Sequence, residues 1–375
     1  MSRMRTSIAV SAAAAALMLV SACGGSGSSG SAKGSGSGTG KLDGGGKLIM
    51  VFMPSTSNVY LKGDADAIRA EAKKLNYTVK IVENNFDQAQ QDQQVQQWLA
   101  TNEKASAVLW WPASADAGIN SSRLLAARAP VIQFNQSIPN AAKPYIKAYV
   151  GVSDKGIGDT AGKQALNAVK ERQAAKTTFH GVNGKPNLVE FSFPTGYKAA
   201  DERHNSFTAA TADAFSVLTR EPVASVDAQG GFKAASQIIP KFKSKGIDFI
   251  YAQSNNVAVG VVNALEQNGL VPGKDVIVIA GDYSGDKQPL KDGKIYSSVL
   301  QSPVIEGMLA VRTAAQYVAT GKVTAGEVTL PADKELPKVQ NVAPNAATYM
   351  PNPPVTPSTV DSFRIWGMDI NRLEP

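Results

Sequence analysis

Apolar residues fall along this chain in two alternating rhythms: short continuous runs closed by breakers, and longer stretches in which apolar positions recur every three or four residues. The first run covers 48–53 and is closed by Pro54. Such a run between breakers predicts a strand buried on both faces. A small polar loop, 55–58, leads to Tyr60, after which Ile68, Ala72 and Leu75 repeat at helical spacing. Strand, polar loop with an aromatic, helix: this is the first βα unit of an open parallel sheet. Sheets of that kind bind ligands outside the carboxyl ends of their strands.

The rhythm continues with strands over 79–84, 107–112, 131–136 and 148–152. Between them run a polar helix with Val95, Trp98 and Leu99 on one face and a helix through Leu124 and Leu125. It then starts again. A helix through Ala161, Ala165 and Val169 precedes strands over 188–193, 222–228, 249–254, 276–282 and 296–301, with helices near 199–215, 232–243 and 257–267. Strands alternating with helices give βαβ units and parallel sheets. The expected fold is α/β: two doubly wound parallel-sheet domains joined by a multi-crossing hinge, with the ligand in the cleft between them. A helix over 304–319 and a strand over 326–330 find no place in the second domain and are assigned back to the first. The lobes are thus 47–152 with 303–330, and 153–302. The tail 331–375, rich in Pro, Asn and Ala, is expected to lie irregularly over the surface and across the hinge, with an edge strand over 363–368.

Ahead of the first strand, 1–22 carries Arg3 and Arg5, then the apolar stretch 8–20 and small residues ending in Val20, Ser21 and Ala22. That reads as a secretory signal, too short for a membrane span. Cys23 follows it as the sole cysteine, which leaves ordinary cleavage with a free thiol or lipidation of that thiol; its place after a small residue favours lipidation. Residues 23–46 are nearly all Gly, Ser and small polar residues, a flexible tether with a reach on the order of 25–30 Å. The expected location is extracytoplasmic, on the outer face of a membrane.

Composition narrows the function. Hydrophobic residues at 43% and charged residues at 18% describe a globular chain with a sizeable core. Of the formal charge of +7, Arg3 and Arg5 contribute two, leaving +5 without any dense basic block, so nucleic acid is not indicated. One cysteine allows no intrachain disulfide. The two histidines, His180 and His204, lie at no metal-ligand spacing, and metal catalysis or Ser–His activation finds no support. No cofactor motif is present. The glycines of "GIGDTAG" (156–162) do not follow a dinucleotide fingerprint and read as small residues for close helix packing.

Several strands end in side chains ill suited to a core. Ser57, Asn58 and Tyr60 follow the first strand, and Asn135 and Gln136 end the fourth. Gln253, Ser254 and Asn255 follow 249–252, Asp282 ends 276–282, and Gln301 ends 296–301. Arg203 opens a helix after a strand. Each alone is ordinary turn chemistry. Six at corresponding ends of two sheets point to a shared polar pocket. Planar amides and carboxylates match vicinal hydroxyls, and an Arg adds a fixed donor fork. Trp110 and Trp111 point to opposite sides of their strand, and Trp111 is the one expected to face the cleft against a sugar ring.

With these residues in hand, the chain resembles the ribose-type periplasmic sugar-binding proteins of ABC importers over about residues 46–330. The likeness is carried by "SNVYLKGDADAIRAEAKKLNY", "VLWWPASADAG", "VIQFN", "AYVGVSDKGIGDTAGKQAL", "DERHNSF", "YAQSNNVAVGVVNALEQNG" and "VIAGDYSGDKQPLKDGKIYSSVLQSP". It implies sugar contacts from Ser57, Asn58 and Tyr60, from the fourth strand end, from Arg203, from Gln229 or a neighbour, and from Ser254 with Asn255, Asp282 and Gln301. Two departures stand out. Asn135-Gln136 replaces the Asp-Arg common in the sugar binders, and Ser254-Asn255 replaces Asn-Asp; both leave the sugar's identity open. The resemblance implies a monomeric lipoprotein that closes on a sugar or sugar alcohol and passes it to an ABC permease, without cofactor and without bond chemistry. Three rivals remain. The same binder feeding a sensor or chemotaxis receptor is one. A secreted carbohydrate-active enzyme would need two carboxylates flanking a bond. A repressor is disfavoured because a signal and tether stand where a DNA-binding motif would be.

Overall fold

The computed structural model describes residues 42–283, 286–323, 346–350, 352–365 and 368–369. The expected signal, Cys23, most of the tether and the strand expected over 326–330 lie outside them. The tether's end does not dangle. Gly44 and Gly46 donate backbone hydrogen bonds of 2.7 Å to Leu75 and Asn76, and Asp43 accepts from Asn76 Nδ2 at 2.9 Å.

The first half alternates β1 (Leu48–Pro54), α1 (Val59–Lys74), β2 (Thr78–Asn84), α2 (Gln88–Ala100), β3 (Ala107–Trp110), α3 (Ile119–Ala126), β4 (Val131–Phe134) and β5 (Ile146–Gly151). The second half starts with α4 (Asp154–Ala174), β6 (Asn187–Ser192), α5 (Lys198–Thr211), β7 (Ser216–Pro222) and α6 (Ala228–Phe242). It continues through β8 (Phe249–Ser254), α7 (Asn255–Gln267), β9 (Ile277–Tyr283), α8 (Gln288–Lys291) and β10 (Ser297–Leu300). Then come α9 (Pro303–Thr320) and the short strands β11 (Ala346–Tyr349), β12 (Pro354–Val355), β13 (Arg364–Ile365) and β14 (Met368–Asp369). One sheet has the order β11-β5-β4-β3-β1-β2 and the other β12-β10-β9-β8-β6-β7. Ignoring the tail strands, both repeat one order, with strands running parallel. These are two parallel-sheet α/β domains. Each sheet reverses its winding beside its first strand, between β1 and β3 and between β6 and β8. A crevice opens at the carboxyl ends there.

Central strands carry the continuous apolar runs because helices cover both faces. β1, for example, is buried at every residue after Leu48. Its outward residues Met50 and Phe52 join Trp98 and Trp110 in one core, and Ile49, Val51 and Met53 face the other way into the core under α1 and α9.

Three corrections follow from the structure. The strand expected over 222–228 is instead β7, at Ser216–Pro222. α5 stops early because Ala212 and Asp213 take the left-handed conformation, and Asp227 caps α6 by accepting from Gly230 N at 2.7 Å. The fourth strand ends at Phe134, before Asn135 and Gln136. The tail is not simply irregular. β11 pairs parallel with β5, and β12 pairs antiparallel with β10, so it extends one edge of each sheet. The strand expected over 363–368 is a separate pair, β13 with β14.

The chain passes between the sheets at three places: between β5 and α4, between β10 and α9, and between β11 and β12. α4 packs on β9 and β10, and α9 packs on α1 and on β3, β4 and β5. The crossings lie side by side. Met350 N donates to Gly151 O at 2.8 Å, Leu300 N to Pro353 O at 2.9 Å, and Asn352 Nδ2 to Leu300 O at 3.0 Å. The "GIGDTAG" glycines belong to packing: a Cβ at Gly158 would collide with the Arg203 carbonyl where α4 meets α5. Among the described residues, no helix is long and apolar enough to cross a membrane.

Candidate functional site

At the carboxyl edge of the first sheet, the chain leaves β4 by turning Asn135 into the left-handed region (φ 61°), a conformation Asn tolerates. That turn aims the Asn135 amide at the start of α9, where Nδ2 donates to Glu306 Oε2 at 3.0 Å. Tyr60, in the first turn of α1, donates its hydroxyl to the same oxygen at 2.7 Å. Glu306 is fully buried in the first turn of α9, a helix capped by Ser302 Oγ. Burial raises its carboxyl to about 7, against the pull of the hydrogen bonds from Asn135 and Tyr60. The Val152 backbone N–H lies near the carboxylate, yet Oε1 makes no hydrogen bond. Burial and then the Glu306 charge hold the Tyr60 phenol well above its ordinary range.

Arg203 is the hub at the carboxyl edge of the second sheet. It is 2% exposed and lies 4.5 Å over the Phe193 ring. Its Nε donates to Asp154 Oδ1 at 2.7 Å, and its Nη1 to Gln253 O at 2.6 Å and Asp282 Oδ2 at 3.0 Å. Nη2 donates to Gln301 Oε1 at 3.0 Å. Burial alone would loosen its proton; the charges of Asp154 and Asp282 reverse that, and Arg203 stays a cation. The other Asp282 oxygen accepts from Asn255 N at 2.9 Å, at the N-terminus of α7. Burial raises Asp154 despite Arg203.

The two halves meet. Gln301, at the second crossing, lies near the Tyr60 hydroxyl. Ser137 Oγ donates to Glu202 Oε1 at 3.2 Å, and the Tyr197 hydroxyl lies beside the Trp111 side chain. Trp111 sets its edge against Tyr60 and Phe134, with ring centroids 6.3 and 5.5 Å away. Trp110 belongs to the opposite core with Phe52.

The structure therefore brings Tyr60, Trp111, Asn135, Arg203, Asn255, Asp282 and Gln301 into one connected cluster. Gln136 and Ser254 are buried at its margins. Asn58 is occupied as the cap of α1, accepting from Leu61 N at 3.3 Å, and Ser57 is an exposed loop residue. Gln229 is exposed on the first turn of α6, and no hydrogen bond joins it to the cluster. Gln253 turns away to brace Phe193 N and Glu190, which in turn holds His204 at 2.6 Å. Sequence reasoning missed Asp154, Phe193, Tyr197, Glu202 and Glu306. One signal was available for Glu306: a single acid inside the apolar segment 303–311. Among the described residues, no group of three or more His, Cys, Asp or Glu is placed to hold a metal ion. Chemically, the cluster offers hydrogen-bonding groups and aromatic rings at buried positions.

Comparison with known proteins agrees with this architecture. Residues 49–322 match the family described as periplasmic binding protein domain. The galactofuranose-binding protein YtfQ of Escherichia coli is 25% identical over 254 residues, which covers 65% of this chain and 74% of that protein. The ribose import binding protein RbsB of Haemophilus influenzae is 26% identical over 265 residues, 69% of this chain and 82% of that one. Among solved structures, an ABC transporter solute-binding protein of Bacillus halodurans with bound myo-inositol superposes with a TM-score of 0.67 at 20% identity, covering 84% of this chain and 96% of that one.

Proposed function

The chain belongs to the periplasmic binding protein domain family, and from that premise we propose that it captures a sugar or sugar alcohol between its two lobes for an ABC importer. The observation that carries the reading is the buried polar cluster spanning the carboxyl edges of both sheets, with Arg203, Asp282 and Gln301 from one side and Tyr60 and Asn135 from the other. Relatives named for galactofuranose and ribose, and a fold neighbour holding myo-inositol, support a polyhydroxy solute. The protein makes and breaks no bond. A solute touching both lobes favours the closed arrangement by the contacts it makes only there. Closure then presents the loaded form to a membrane permease. Cys23 carries a lipid that holds the chain at the outer membrane face, and the Gly/Ser segment lets the lobes move beside the anchor.

A thermal-shift screen against pentoses, hexoses, polyols and amino acids tests the solute class. A ligand specific to the folded state stabilises it by about 2.7 kcal/mol at a hundred times its dissociation constant. Hits among sugars or polyols support the proposal, and hits confined to amino acids overturn the solute class. Cys23→Ser is expected to move the protein from the membrane to the soluble fraction; continued membrane attachment refutes the anchor.

A further inference from the structure

The first-lobe wall of the cluster stands on Glu306. A phenol carries one proton, so Tyr60, having donated it to Glu306 Oε2 at 2.7 Å, offers only lone pairs to any other group. Gln301 lies near that same hydroxyl, with its side-chain carbonyl held by Arg203 Nη2 at 3.0 Å. Asn135 is oriented in the same way. With Nδ2 on the carboxylate at 3.0 Å, it keeps Oδ1 as an acceptor and one further N–H. Two hydrogen bonds, from Tyr60 and from Asn135, thus run in one direction onto Glu306 Oε2. Charge sets that direction, since an ionised carboxylate only accepts.

We propose that Glu306 is the positioning residue of the solute site: it fixes the hydrogen-bond direction of Tyr60 and Asn135, so that this wall accepts hydrogen bonds and selects solutes bearing hydroxyl donors over their carboxylated counterparts. The proposal rests on the sugar-binding reading above. Arg203, the cation a carboxylate would seek, already has Asp154 and Asp282 on it. The groups facing Glu306 are Tyr60 and Asp64 from α1, Asn135 after β4, the Val152 N–H, Asp154 at the start of α4 and Tyr197 before α5. None is a cation, so protonation of Glu306 relieves an excess of acids. It also takes away the charge that makes Tyr60 the donor, since a protonated carboxyl can donate as well as accept.

Two measurements test this on the intact protein. The first follows the Glu306 side-chain carboxyl by carbon NMR across pH in the wild type and in Tyr60→Phe, which keeps the ring and loses the donor. The midpoint is expected to rise in the variant, because a hydrogen bond to the ionised form is gone; an unchanged midpoint overturns the proposal. The second is calorimetry with myo-inositol, D-ribose, L-arabinose and D-galacturonate, at about pH 6 and about pH 8, either side of the Glu306 value of about 7. A neutral solute is expected to bind more tightly at the higher pH. Glu306→Gln should weaken it about tenfold there and flatten the pH profile, as a charge-assisted acceptor becomes a neutral one. Equal affinity and an unaltered profile in Glu306→Gln overturn the positioning role while leaving sugar binding intact, and tighter binding of galacturonate overturns the selectivity. If the NMR midpoint moves and no neutral solute binds, the sugar reading fails and the orientation of Tyr60 by Glu306 stands.

Discussion

Asp64 is a buried acid that should make the protein less stable than it would be without it. Its side chain is 0% exposed where α1 packs on α9, with Gly307 beside it, and neither carboxyl oxygen has a hydrogen-bond partner. Burial first, and the Glu306 charge second, push its carboxyl well above the ordinary range. Leaving a buried polar group unpaired costs about 1–3 kcal/mol even when neutral. Asp64→Ala removes that cost and gains about 0.5 kcal/mol of helix propensity. The vacated space returns about 1 kcal/mol of the gain. The net expectation is a stabilisation of about 0.5–2.5 kcal/mol, with about 2–4 °C in melting temperature for each kcal/mol. The pH dependence has a definite sign. An acid whose folded value is raised binds more protons when folded, so its penalty is absent below the unfolded value of about 3.9 and grows as pH rises toward the folded value. The advantage of Asp64→Ala over wild type should therefore be smallest near pH 4 and larger at neutral pH. Asp64→Asn keeps the unpaired polar atoms and loses the proton linkage, so it should flatten the profile with less gain. Thermal melts of the three proteins across pH provide the assay. A destabilised Asp64→Ala, or an advantage that shrinks as pH rises, would show that Asp64 has a partner and refute the reasoning.

Other perturbations follow from the same contacts. Asp282→Ala strips Arg203 of one carboxylate and Asn255 N of its acceptor; stability should fall by about 3 kcal/mol, and solute affinity should fall with it, read by denaturant melts and calorimetry. Gly151→Ala should cost at least about 1–3 kcal/mol, since its φ is 133° and a Cβ there would collide with Glu306 Oε1 and the Asn135 nitrogen; a melt equal to wild type would contradict the packing. Ser137→Ala removes the 3.2 Å hydrogen bond to Glu202 across the cleft, worth about 0.5–1.5 kcal/mol, and should raise the open fraction seen by small-angle scattering without solute.

The regular part of the fold was legible because a two-sided sheet writes its central strands as apolar runs, as at β1, β3 and the first four residues of β8. β7 was misplaced because it is an edge strand, half-buried along most of its length, and carries no such run. The following segment looked more apolar but serves to cap α6 through Asp227. Strands as short as β11 and β12 have no pattern of their own; they form because each sheet leaves an open edge for them to pair with. In the cluster, polar residues at strand ends were readable as misfits. Glu306 was hidden because the segment containing it reads as a core helix, and a partner such as Tyr60 is 246 residues away in sequence. Asp154 is the first residue of α4, just after its cap Ser153, where an acid is ordinary helix chemistry and carries no signal of its own.

The burial of the cluster itself bears on how the site works. Tyr60, Asn135, Arg203, Asp282 and Gln301 are all buried, and most of their strong donors and acceptors are bonded to one another. A site in that state cannot exchange solute with water by side-chain motion alone, because reaching Arg203 means breaking a guanidinium's bonds to two carboxylates. Parting of the lobes is the cheaper route. The side-chain hydrogen bond seen to span the cleft is a single one, Ser137 to Glu202 at 3.2 Å, whereas the several bonds of Arg203 lie within the second domain and those of Glu306 within the first. Opening therefore sacrifices few contacts and leaves each half of the site pre-assembled. The three adjacent crossings confine that motion to a hinge. A solute that replaces those few contacts with many of its own has the differential contacts that closure requires.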